Sequence, residues 1–200
     1  MQGIIKYNPR NKATGYKGSS FFKTVFKTVA SFIILTMVPA LSWAQPMEYL
    51  LKAGFLEKFA RFTDWPDTGD MKNPDSPFVI SIIGASPFKG SLEEIYKKAV
   101  IKNKPVIIRY INSKNQIPGT HLLFICESEK NKLEDILQTA QNYPVLIVSD
   151  TEGFAEKGTH INLYTTKKNT LHFEINVGAV KKSGLSIQLV LLEIAKVLGN

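Results

Sequence analysis

Asp150 and Glu152 lie two residues apart, and two carboxylates so close in sequence have the makings of a general acid and base. The same stretch, Ser149-Asp150-Thr151-Glu152-Gly153, also reads as a turn with a helix-capping Asp. A phosphoacceptor role for Asp150 would need acidic residues after the first strand, and none stand there. His160, His172 and Glu174 fall on two neighbouring strand-like runs. If Ile161 and Leu163 share a face with Leu171, Phe173 and Ile175, then His160, Asn162 and Tyr164 share the other with His172 and Glu174. Two histidines and a glutamate on one face could hold a metal; a polar face at the sheet end is the plainer reading. Cys126 is the single cysteine, closes an apolar run and reads as a buried, inert thiol. One cysteine excludes an intrachain disulfide framework and a multi-cysteine metal site. No G-x-S-x-G marks a serine hydrolase. Gly84 to Gly90 (GASPFKG) stands where a phosphate-binding loop would, after a strand and before a helix. It lacks G-x-G-x-x-G, encloses five residues instead of four, and continues as Ser91-Leu92 instead of Lys-Ser/Thr. It reads as a tight turn whose following helix start could still take a small anion. None of this is a positive sign of an enzyme, and no metal or cofactor is expected.

The elements that would position these residues follow from periodicity. Apolar residues from Met47 to Thr63 recur at three- and four-residue steps, which predicts an amphipathic helix stopped by Pro66. Phe78–Ile83, Val106–Tyr110, His121–Cys126 and Val145–Ser149 are short, nearly all apolar runs and read as buried strands. Helical segments, Leu92–Ala99 and Leu133–Ala140, fall among them. Such alternation predicts an α/β domain in three layers, a mostly parallel sheet of about six strands with helices on both faces. Ile161–Thr165 and Thr170–Ile175 are too close for a crossover, so they form an antiparallel hairpin near the C-terminus. Val177–Lys182 is read as a helix capped by Asn176. Leu185–Leu198 is read as a second helix packed on the sheet.

The chain has 200 residues and a formal net charge of +8, from 25 basic and 17 acidic residues. Hydrophobic residues make up 44%, which excludes a disordered or low-complexity scaffold. The charge alone would suggest nucleic acid or an acidic membrane. Six of the basic residues lie within residues 1–28, which hold no acid; the apolar run Val29–Leu41 and then Ser42-Trp43-Ala44 follow. Basic start, short apolar run and small-x-small site predict a secretory leader over 1–44, cleaved near Ala44-Gln45. The apolar run of 13 residues is short for a membrane span. Without those six, 19 basic residues face 17 acidic, a net +2 over 45–200, so nucleic acid is not expected.

Three stretches together carry a resemblance. They are Phe62-Thr63-Asp64-Trp65-Pro66 after the first helix; Pro144–Asp150 with Gly153–Gly158 and Ile161-Asn162-Leu163; and Phe173-Glu174-Ile175-Asn176 before a helix. The chain resembles the YfiR family of periplasmic regulators over about residues 48 to 198. The resemblance implies a periplasmic, non-catalytic domain that binds the periplasmic sensor domain of an inner-membrane diguanylate cyclase and lowers cyclic-di-GMP synthesis. It also implies an outer-membrane peptidoglycan-binding lipoprotein that sequesters the repressor. A homodimer is left open. A small-ligand sensor that signals to a histidine kinase or transporter is the alternative. Some relatives carry cysteine pairs; here Cys126 stands alone, which puts redox gating in doubt. The candidate partner or ligand face comprises Trp65, Gly84, Ser86, Asp150, Phe154 and Asn176.

Overall fold

The computed structural model describes residues 44–67 and 69–199. Apart from Ala44, the expected leader lies outside them. The first helix, α1, runs from Ala44 to Arg61 and buries Ala53, Leu56, Phe59 and Ala60. Its spacing of apolar residues gives one continuous inward stripe. Thr63–Asp64 (β1) then pairs antiparallel with Ser186–Ile187 (β9), which ties the end of the helix to the C-terminal part of the chain. A single turn of helix, α2, spans Gly69–Lys72.

The main sheet contains Phe78–Ile83 (β2), Val100–Ile101 (β3), Lys104–Ile111 (β4), Leu122–Ile125 (β5), Leu146–Ser149 (β6), Ile161–Thr165 (β7), Leu171–Asn176 (β8) and Lys196–Leu198 (β10). The spatial order is β10-β8-β7-β6-β5-β2-β4-β3. Only β7–β8 and β3–β4 are antiparallel; the other neighbours run parallel. The helices α3 (Ser91–Tyr96), α4 (Leu133–Ala140), α5 (Val177–Lys182) and α6 (Leu189–Ile194) complete the fold.

Central strands are apolar on both sides because both faces are covered. Phe78, Ile80, Ile82, Phe124 and Val148 pack with α1 and α3. Ile83, Leu123, Ile125 and Ile147 point the other way and pack with Leu133, Ile136 and Leu137 of α4. The architecture is therefore mixed α/β around a mostly parallel sheet. The hairpin register agrees with the sequence reading: Asn162 opposes Glu174, Leu163 opposes Phe173 and Tyr164 opposes His172.

Two expectations need correction. Among the described residues the sheet has eight strands, not about six, because two short edge strands join it. One is β3, folded onto β4 through Lys102 and Asn103, both with positive φ as a tight two-residue turn requires. The other is β10, which lies beside β8, so the hairpin is not at the sheet's edge. Leu185–Leu198 is also not one packed helix. Only Leu189–Ile194 is helical, between β9 and β10, and Leu189 and Ile194 are 67% and 66% exposed. The physical reason is competition: backbone groups of 186–187 and 196–198 find strand partners, which a continuous helix would forfeit.

Candidate functional site

The carboxyl ends of three parallel strands finish level. Ile83 pairs with Ile125, and Ile125 with Ser149, so Gly84, Cys126 and Asp150 follow side by side. In a parallel α/β sheet this edge is where ligands and partners are commonly met. Asp150 is a buried charged group of the edge. Its Oδ2 accepts from Lys52 Nζ at 2.7 Å and from the Tyr49 hydroxyl at 3.0 Å. Lys52 also pairs with Glu48 at 2.7 Å and lies 4.4 Å above the Tyr49 ring. Glu48, Tyr49 and Lys52 share one face of α1 because they are three and four residues apart. The side chains of Lys52 and Asp150 are only 5% and 7% exposed. Burial and the Asp150 carboxylate together hold the Tyr49 hydroxyl well above its ordinary pKa, so it stays protonated and donates.

This cluster clamps α1 onto the end of β6. Tyr49 extends the clamp, since its ring meets Phe88 edge-on at 5.4 Å and Phe88 meets Phe124 at 4.9 Å. Glu152 is exposed and takes no part in these bonds. The two carboxylates therefore do not converge on a shared position, and the lysine beside Asp150 is engaged by two acids. Cys126 is buried, and burial pushes its thiol up to about 12, which leaves it protonated and unreactive at neutral pH.

The other candidate residues separate into two groups. Gly84 and Ser86 lie at the carboxyl edge and are part-exposed. Gly84 has φ +99°, and a Cβ there would collide with Ser128 Oγ. The loop is held against the turn after β5, where Ala85 N–H donates to Ser128 Oγ at 2.9 Å. Phe154 follows the same edge but is fully buried in the core under α4. Trp65 lies at the opposite end of the sheet, edge-on to Phe78 at 5.4 Å, where β2 begins. Its indole N–H is buried without a partner. Asn176 ends β8 beside the start of β7, where its N–H bonds His160 O at 2.9 Å. Its Oδ1 accepts from Ala179 N–H at 2.8 Å and its Nδ2 donates to Ala155 O at 2.8 Å, so it caps α5 and holds the preceding loop.

His172 and Glu174 share a face but serve different neighbours. His172 stacks on Tyr164 at 5.8 Å and bonds Thr170 Oγ1 at 3.1 Å. Glu174 accepts from Asn162 Nδ2 at 3.3 Å and from Lys196 at 3.1 Å. His160 is buried, and its Nδ1 accepts from Ile147 N–H at 3.1 Å. Among the described residues no three His, Cys, Asp or Glu side chains gather to hold a metal. Sequence reasoning missed Lys52 and Tyr49. The Glu48/Lys52 spacing on α1 was visible, but its tie to a residue 98 positions away was not.

A family model described as YfiR/HmsC-like matches residues 49–196. No curated protein matches the chain. Two solved structures are similar to it in part. One is the ABC domain in complex with L-Trp from Streptococcus pneumoniae, at 12% identity and TM-score 0.44, covering 60% of this chain and 54% of that one. The other is a conserved domain protein from Vibrio cholerae O1 biovar El Tor, at 11% identity and TM-score 0.49, covering 72% and 59%. The chain thus spans little more than half the length of either structure. No described helix is long and apolar enough to cross a membrane. The family match runs from α1 into β10 and takes in the whole carboxyl edge, and on it the chain belongs to the YfiR/HmsC-like family.

Proposed function

We propose that the protein inhibits an inner-membrane diguanylate cyclase by binding its periplasmic sensor domain, and so lowers cyclic-di-GMP signalling. The observation that carries this reading is the family match across residues 49–196. Inhibition of this kind requires higher affinity for one state of the partner than for the other, and a tenfold preference corresponds to about 1.4 kcal/mol. A rigid binding surface supplies that without chemistry. The contact face proposed is the carboxyl edge, with Gly84 and Ser86 at its surface and Asp150 and Phe154 holding it from beneath. Trp65 and Asn176 then support the fold at the far end of the strands. Exposed Leu189, Val190 and Ile194 on α6 offer a competing apolar surface. An outer-membrane peptidoglycan-binding lipoprotein would relieve inhibition by sequestering the protein.

Deletion of the gene should raise cellular cyclic-di-GMP, and unchanged levels would overturn the reading. Capture of the cyclase's periplasmic domain by the purified protein locates the face. Ser86→Arg should abolish capture if the carboxyl edge is the contact; the pair Leu189→Asp and Ile194→Asp should do so if α6 is.

A further inference from the structure

A cleft of about 1100 Å³ opens between α4 and α5, beside β6, away from the Lys52–Asp150 cluster. The roles described so far use few of the side chains that line it. His160 is its most telling residue. The side chain is buried, at 3% exposure for the residue, yet it lines the cleft. Its Nδ1 is taken by the Ile147 N–H, which places the ring proton on Nε2. That Nε2–H has no partner among the described residues, and it is not among the sealed polar atoms. A buried donor left unpaired is costly, so a donor open to a cleft is a place for an acceptor. Burial alone holds the imidazole down to about 4, so at neutral pH it donates without carrying charge.

The surroundings decide what the acceptor is. Lys130, Lys157 and Lys182 line the cleft, and among the described residues none has a carboxylate within ion-pair distance. Glu134 and Glu156 also line it, which leaves the cleft net positive by one charge. Leu137 and Ile147 supply an apolar wall, and Gly158 and Gly178 keep backbone close to the space. A site with one neutral donor at its base, ammonium groups around it and an apolar wall suits an organic anion better than an inorganic one.

We infer that the cleft between α4 and α5 binds a small aliphatic carboxylate, its oxygen accepting from His160 Nε2–H and its charge met by Lys157 and Lys182. The site does not depend on the cyclase reading, because it lies on a different part of the fold and its test needs no partner.

Titration calorimetry of the purified protein with succinate and butyrate, with sodium sulfate as the inorganic comparison, tests this. At least one carboxylate should bind with a Kd of about a millimolar or tighter, and sulfate should bind at least tenfold more weakly. Lys157→Gln with Lys182→Gln, both at exposed positions, should weaken the carboxylate at least fivefold with the circular dichroism and melting curve unchanged. The His160 Nε2–H resonance in imidazole ¹⁵N correlation spectra should shift on saturation. Absence of binding at 20 mM, equal affinity for sulfate, unchanged affinity in the lysine pair, or saturation without movement of the His160 signal would each overturn the inference.

Discussion

Asp150 organises its end of the sheet by being buried with its charge. A carboxylate taken out of water needs both a counter-ion and hydrogen bonds, and Lys52 and Tyr49 supply them. Removing Lys52 strands the Asp150 charge, at a cost of about 3–5 kcal/mol, whereas removing Asp150 leaves Lys52 paired with Glu48. Lys52→Met should therefore lower the urea midpoint by that amount of stability, and Lys52→Met with Asp150→Leu should recover most of it. A Lys52→Met loss below about 1 kcal/mol would show that the pair is solvated and not a clamp. His160 sets a second residue-scale expectation. Its folded pKa, about 4, lies below the ordinary imidazole value near 6.5. As pH falls below about 6.5 the unfolded chain takes up a proton that the folded chain refuses, so stability falls until the folded pKa is reached. Between pH 6.5 and 4 the loss at this site is about 3 kcal/mol. The same burial acts in the same direction on His121. His160→Phe should flatten the acid limb of a melting temperature-versus-pH curve; an unchanged limb would place its origin elsewhere.

At the scale of elements, the stretches whose pattern admitted one answer are the ones that formed as read. Phe78–Ile83 could bury both faces only as an interior strand, and Val177–Lys182 has a cap residue before it and Gly184 after it. The hairpin register followed from alternation alone, because a one-residue slip would turn Phe173 and Ile175 outward. Leu185–Leu198 was not legible. Its apolar residues lie on most sides of a helical wheel, a pattern that does not separate a buried helix from strand, helix and strand in succession. What decided it was pairing with Thr63–Asp64 and with Glu174–Asn176, partners distant in sequence. The carboxyl edge was half legible for the same reason: Gly84 and Asp150 stand at strand ends that the pattern marked, whereas Lys52 reaches Asp150 only through the packing of α1. The segment also yields an expectation of its own. Leu191 is buried and Leu189 exposed on the same helix of six residues. Leu191→Ala should cost about 2–4 kcal/mol, whereas Leu189→Ala should stay within about 0.5 kcal/mol in chemical denaturation. Equal costs would mean that α6 is covered on both sides in solution.

For the whole molecule, the charge that dominates the composition is absent from most of the chain. Residues 45–200 carry 19 basic and 17 acidic side chains, and several are already paired with one another, as Arg61 is with Glu57, Lys102 with Asp64 and Lys196 with Glu174. A near-neutral body with interspersed signs sets up little long-range field, so it gains little steering toward a charged partner. The surface it does offer is apolar, at Leu189, Val190 and Ile194, or part-exposed backbone and hydroxyl, at Gly84 and Ser86. Association with the proposed partner, the periplasmic domain of a diguanylate cyclase, should then depend weakly on ionic strength. The association rate constant, measured by biosensor between about 50 and 300 mM NaCl, should change by less than about threefold, since screening has little to act on. A steered encounter would slow by tenfold or more across that range. A steep fall would transfer the contact from these surfaces to the lysines around the α4–α5 cleft, where unpaired positive charge gathers about a cavity.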